Sequence, residues 1–286
     1  PVTGTGTTFT SQLKAGDYVS TLGTTLSIGQ VLSVVDDTHL TCTGDFSFAG
    51  TALYRIPTLV INTSFTIDAT SQLHMGFTSS SGSQVMYCIY LASTATGSIS
   101  GSLFWQRNGC QTRIVAVTPG SLVFQNGSNC TIQANPAAVS LGTSTAGPFF
   151  GTALGTGLAG GSPQFAFNTN AATVTFASGS TYTVNFAGRE YTPFGRAAQA
   201  TTPLTFSGVV SMQPGSNYTI TAATTYYNGL PYFYSSTTIN YGNLTFNCNG
   251  TVTNLSLGRV DNLTFGTNVA AVTSSTGSIK LYGDVL

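Results

Sequence analysis

The chain has 286 residues with eight basic and eight acidic side chains, so its formal net charge is zero and charged residues make up only 6%, against about 25% in an ordinary soluble domain. That composition leaves no basic patch to hold nucleic acid. At 41% hydrophobic and 11% aromatic there is ample core material, which argues against disorder, and runs such as "RIVAV" and "PTLVI" fall far short of the roughly 18 apolar residues of a membrane-spanning helix. What remains is a folded protein with a neutral surface of Thr, Ser, Asn and Gly, and net charge near zero promotes association.

Residues 1–56 form a first module. "VTGTGTTFTSQLKAGDYVS", "LSIGQVLSVVDDTHLTCTGDFS" and "GTALYRI" read as short strands joined by turn chemistry. Phe9 and Leu13 are placed to plug one end of a small barrel, and Gly16-Asp17 to make a tight turn. Tyr18, Ile28, Val31, Val34 and Leu40 supply apolar positions along the strands. The pattern V-x-G-x-G-T-x-F, L-x-x-G-D and V-x-x-V-x-D-D-T-x-L resembles a module in structural proteins of tailed phages and large DNA viruses. The resemblance stops near residue 56 and implies a virion surface or fibre component, with the module as connector or decoration.

Beyond Pro57 the pattern alternates with period two. In "TYTVNF", Tyr182, Val184 and Phe186 face one way and Thr181, Thr183 and Asn185 the other. Asn108-Gly109, Asn126-Gly127, Asn228-Gly229 and Asn249-Gly250 follow or separate such runs, and Asn-Gly between alternating segments is the strongest short-range signal for a β-hairpin. Ser178-Gly179 and Pro214-Gly215 add weaker turns. The expected fold class is therefore all-β: a small β-barrel-like module over 1–56, then antiparallel β-sandwich or jelly-roll-like domains over 57–145 and 166–286. Residues 146–165, rich in Gly and Ala, are expected to be a linker or long loop.

Sequons are the one positive chemical signal. Asn-x-Ser/Thr begins at Asn62, Asn126, Asn129, Asn217, Asn243, Asn249, Asn254 and Asn262. In a strand the Asn and the hydroxyl two residues on share one face, so these are expected on outward faces, as candidate glycosylation sites. The units at Asn243, Asn254 and Asn262 hint at a short repeated strand-turn unit, too unevenly spaced for a true solenoid. Five cysteines, Cys42, Cys88, Cys110, Cys130 and Cys248, show no zinc spacing. If Asn108-Gly109 closes a hairpin, Trp105 faces Thr112 and Arg107 faces Cys110 across it. A Cys88–Cys110 disulfide is then expected, worth about 3 kcal/mol in the chain-entropy treatment, with Cys130 as the other candidate partner and buried free thiols as the plain alternative.

Catalytic constellations fare poorly. Gly155, Gly157 and Gly160 match a dinucleotide loop, but Pro163 blocks the helix that should follow and no acid lies near residue 180. Asp36, Asp37 and His39 could be imagined around a metal, yet adjacent residues point apart and a polar turn accounts for them. His74 has no acid near it in sequence. Glu190 is the only Glu, so no Glu pair exists for glycoside hydrolysis. "GSISG" puts Ile99 where a nucleophilic serine would stand. Arg107, Arg113, Arg189, Arg196 and Arg259 are isolated, and subunit contacts suit them better than a carboxylated sugar.

The sequence thus points to a non-enzymatic structural protein on the surface of an assembled particle: a viral capsid, spike or fibre component, glycosylated and self-associating. No cofactor or metal, nucleic acid or membrane span is expected. The expected location is the virion surface, or otherwise extracellular, among other virion or surface proteins. A secreted glycoprotein subunit of a filament or surface layer is the alternative. A carbohydrate-binding adhesin, using the aromatic stretch Tyr226–Tyr234, is the third.

Overall fold

A computed structural model of the chain describes residues 1–21, 28–43, 53–56, 58–75, 86–107, 111–116, 118–134, 148–151, 174–185, 210–221, 240–247, 250–252, 259–272 and 280–281. The first module is an antiparallel sheet. Its strands are β1 (Val2–Thr3), β2 (Tyr18–Thr21), β3 (Ile28–Val34), β4 (His39–Cys42) and β5 (Leu53–Ile56), in the order β1-β4-β3-β2-β5. No pairing of β1 with β5 closes a barrel among the described residues, so the barrel expectation is corrected to an open sheet. One helical turn, α1 (Phe9–Gln12), drops Phe9 onto the sheet, where it is buried with Val19, Val31 and Leu40. Gly16 turns the chain at φ +95°, a conformation that suits glycine.

From Thr58 onward the architecture changes. The strands come in sets of three, one set per coil. The first coil is β6 (Thr58–Ile61), β7 (Ser64–Ile67) and β8 (Gln72–Met75). The second is β9 (Met86–Leu91), β10 (Thr96–Ile99) and β11 (Ser102–Arg107). The third is β12 (Gln111–Ala116), β13 (Leu122–Phe124) and β14 (Asn129–Ala134), and the fourth is β15 (Pro148–Gly151), β16 (Val174–Phe176) and β17 (Thr181–Asn185). Next come β18 (Val210–Met212), β19 (Asn217–Ile220), β20 (Asn243–Phe246), β21 (Gly250–Val252), β22 (Arg259–Val260), β23 (Asn262–Phe265), β24 (Val269–Val272) and β25 (Lys280–Leu281).

Each strand pairs in parallel with its counterpart in the neighbouring coil. This builds three sheets, β15-β12-β9-β6, β18-β16-β13-β10-β7 and β23-β20-β19-β17-β14-β11-β8. Late in the chain, β21 pairs with β24 and β22 with β25, again in parallel. Parallel strands usually need a helix to cross from one to the next. Here only residues 62 and 63 separate β6 from β7, and 100 and 101 separate β10 from β11. Such connections turn a corner onto a different sheet, and the chain regains the first sheet only after a full circuit. The arrangement is a parallel β-solenoid.

The antiparallel sandwich or jelly roll expected for residues 57–286 is therefore overturned. Alternation by itself does not reveal strand direction, because one face is buried in either case. The turn glycines misled more directly. Gly127, Gly179 and Gly215 have φ of +81°, +78° and +80°, as a hairpin would need, but they make corners between sheets. They also stack: Gly127 N donates to Gly179 O at 3.1 Å, and Gly179 N to Gly215 O at 2.9 Å. Asn108 and Gly109 lie outside the described residues, but the strands on either side overturn the hairpin expected there. β11 and β12 lie in different sheets, and Trp105 pairs with Met75 and Ile132, not Thr112.

Inside the solenoid, equivalent positions of successive coils form ladders. Phe124 stacks on Phe176 at 4.3 Å between ring centroids with planes 6° apart, and Tyr182 meets Tyr218 at 5.4 Å. Leu103, Cys130, Tyr182, Tyr218, Leu244 and Leu263 fall in one register row, all buried. One hydrophobic core runs from Ile67 to Leu263, through both of the segments expected to be separate domains. β15 lies inside the expected 146–165 linker and pairs with β12.

Candidate functional site

The seven-stranded sheet is the longest among the described residues. Its inward residues fill the core, so its outward residues also fall into register rows. One row reads Gln72, Ser102, Asn129, Thr181, Asn217, Asn243, Asn262 along the solenoid. The next reads His74, Phe104, Thr131, Thr183, Thr219, Thr245, Thr264. Rows lie two residues apart along each strand, about 6.7 Å, and neighbours within a row are one strand spacing apart, about 4.8 Å. From β14 to β23 neither row carries a charged side chain.

The first row is tied together by its own amides. Asn262 Nδ2 donates to Asn243 Oδ1 at 2.8 Å, Asn243 Nδ2 to Asn217 Oδ1 at 3.1 Å, and Asn217 Nδ2 to Ser180 O at 3.3 Å. The ladder stops there because Thr181 replaces asparagine in the preceding coil. Asn129, one coil further on, accepts from Thr131 Oγ1 at 3.2 Å. The second row is different. The hydroxyls of Thr183, Thr219, Thr245 and Thr264 have no side-chain hydrogen-bond partner among the described residues, and these residues are half-buried. At the N-terminal end of that row the exposed His74 ring stacks on half-buried Phe104 at 4.8 Å, with planes 17° apart.

The structure places six of the sequon asparagines, of which half-buried Asn129 stands in the outward row with its Oδ1 accepting from Thr131 and the other five fall into two groups. Asn62 and Asn126 are exposed at corners between strands. Asn217, Asn243 and Asn262 face outward as alternation requires, but each uses in the ladder the Nδ2 atom to which a glycan would be joined. Asn249 and Asn254 lie outside the described residues. So do Cys110, Cys248, the Cys88 side chain, the side chains of Arg107 and Arg113, residues Arg189, Arg196 and Glu190, the glycines at 155, 157 and 160, and Tyr226–Tyr234. Cys130 is a buried free thiol, and burial pushes its pKa well up. Half-buried Cys42 is raised for the same reason.

Asp36, Asp37 and His39 fold into a polar turn. Thr38 donates its backbone N–H (2.7 Å) and hydroxyl (2.8 Å) to Asp36 Oδ1, and His39 Nδ1 lies 2.9 Å from the same oxygen. These contacts, the Thr38 N–H foremost, lower the Asp36 pKa from its ordinary 3.8 to about 2. Asp37 instead accepts from the backbone N–H of Thr10 at 3.1 Å and from its hydroxyl, tying the turn to α1. Among the described residues no group of three His, Cys, Asp or Glu side chains is arranged to hold a metal, and no helix is long and apolar enough to cross a membrane. Ile99 is fully buried.

The ladder rows were the feature hardest to see in sequence. Phe124-Gln-Asn-Gly-Ser-Asn-Cys-Thr-Ile, Phe176-Ala-Ser-Gly-Ser-Thr-Tyr-Thr-Val and Met212-Gln-Pro-Gly-Ser-Asn-Tyr-Thr-Ile are one corner-and-strand unit written three times. Aligning such units, instead of seeking a constant period, would have exposed the solenoid. Compared with protein-family models, with curated proteins and with solved structures, the chain matches none.

Proposed function

We propose that this chain is a non-enzymatic structural protein on the surface of an assembled particle, a fibre or spike component of a virion, with the solenoid as shaft and the N-terminal sheet as connector. The observation that carries the reading is the stacked parallel architecture. A solenoid is quasi-one-dimensional, each coil contacting only its neighbours, so it makes a stiff rod whose length is set by the number of coils. Seven strands at about 4.8 Å spacing already span about 30 Å. The connector role rests on the resemblance carried by residues 1–56. Self-association is supported by the zero net charge and by the first coil, whose strands β6, β7 and β8 end their sheets and whose Leu59 is 57% exposed. Glycans fit Asn62 and Asn126.

Immunogold labelling of native material with antibodies to this chain tests the reading. Gold on projections from particles is the expected result. Label confined to free protein or to cell-wall filaments would overturn it.

A further inference from the structure

We infer that the outer face of the seven-stranded sheet binds a neutral polysaccharide, laid along the solenoid axis across successive strands. The inference does not depend on the virion reading, since it concerns the face and not what the rod is attached to. Three observations carry it. First, the hydroxyls of Thr183, Thr219, Thr245 and Thr264 stand in one register row with no side-chain partner among the described residues. Each can both donate and accept, which suits the hydroxyls of a sugar. Second, the flanking asparagines 217, 243 and 262 hold one another through their own amides, so that flanking row is fixed before any ligand arrives, which lowers the ordering cost of binding beside it. Third, His74 stacks on Phe104 at the end of the same row, on the strand that ends the sheet, so the outer face of its exposed ring and the edges of the pair are left to pack against the apolar face of a pyranose ring.

Charge and area narrow the occupant. The two rows between β14 and β23 carry no charged side chain, so a polyanion or polycation finds no counter-charge there. Two rows on seven strands cover an area on the order of 300–400 Å², from about 30 Å by about 10–13 Å. A second copy docked on these two rows alone would bury well under the about 800 Å² per partner of a stable protein interface. A single polysaccharide strand needs no such area. It also advances along its axis by a repeated step, as the face does.

Affinity electrophoresis of the full chain through gels containing a neutral glucan, mannan, galactan or N-acetylglucosamine polymer tests the inference. At least one should retard the protein, and added salt should not abolish the retardation. The double variant Thr219→Lys/Thr245→Lys, which forces two unpaired charges against a neutral ligand, should weaken retardation about tenfold or more. Phe104→Ala should weaken it by a smaller factor. Thr175→Lys, on the outer face of the neighbouring sheet, should leave it unchanged and shows that an added outward lysine does not unfold the rod. No retardation by any of the four polymers would overturn the inference. So would equal weakening by Thr175→Lys, or retardation that added salt abolishes. Sedimentation of the double variant is the remaining check: conversion of an oligomer to monomers would assign the face to a second copy and refute polysaccharide binding.

Discussion

Replacing Gly242 by alanine probes the stacking of corners directly, with Gly127→Ala as its control. Both glycines sit in the left-handed region, at φ +63° and +81°, so both variants bear the same conformational penalty of about 1 kcal/mol or slightly more. Their surroundings differ. A Cβ at Gly127 meets nothing within 4 Å, whereas one at Gly242 would overlap the backbone carbonyl oxygen of Ser216 in the preceding coil. That oxygen cannot swing aside as a side chain could, because it accepts the backbone N–H of Asn243 at 2.7 Å. Moving the coils apart to relieve the overlap weakens this bond and the adjacent Asn243–Asn217 amide bond at 3.1 Å, each worth about 0.5–1.5 kcal/mol. Gly242→Ala should therefore cost about 3 kcal/mol and Gly127→Ala about 1 kcal/mol. Repeat arrays depart from two-state unfolding, so the suitable assay is native-state hydrogen exchange read beside each site, at the amides of β19 and β20 for Gly242→Ala and of β13 and β14 for Gly127→Ala. Equal loss of protection in the two variants, within about 0.5 kcal/mol, would refute the claim that Gly242 packs on the coil before it.

Other outcomes follow from the same geometry. Glycopeptide mapping of native material should find sugar at Asn62 or Asn126 and none at Asn217, Asn243 or Asn262; occupancy of any ladder asparagine would break the argument. Alkylation of the native protein should modify half-buried Cys42 well before buried Cys130, and mass spectrometry showing the reverse order would mean that the coil around β14 is open. Asp36 has a folded pKa below its unfolded value, so its contribution is present above pH 3.8 and is lost as pH falls through about 2. A carboxyl NMR titration should give a midpoint near 2, and one at the ordinary 3.8 would remove the Thr38 contacts.

Much of the local structure was legible in the sequence. The burial patterns of Thr181–Asn185 and Asn217–Ile220 follow their alternation residue by residue, and the Asp36 turn follows from its side chain capping Thr38. In the first module Phe9, Val31 and Leu40 are buried as expected, but Leu13 and Val34 are only half-buried, and Val19, which carried no distinctive signal, is fully buried. Direction and connection were not legible. A glycine with positive φ serves a hairpin and a solenoid corner equally well, and the unequal insertions between coils hid the repeat: ladder asparagines 217, 243 and 262 are 26 and 19 residues apart. The candidate face was half legible. Its outward Asn and Thr were read as positions for glycans, because only the register between coils shows that the asparagines bond to one another.

Nuclear Overhauser contacts between asparagine side-chain amides test the parallel stacking most directly. With side-chain amides labelled, Asn243 Nδ2 protons should show contacts to Asn217 on one side and Asn262 on the other, in series, as hydrogen bonds of 3.1 and 2.8 Å require. The Thr245 methyl should likewise see Thr219 and Thr264, its partners in register. If Asn243 instead contacts residues of a strand running the opposite way, and neither Asn217 nor Asn262, the chain beyond residue 57 is not a stack of parallel coils.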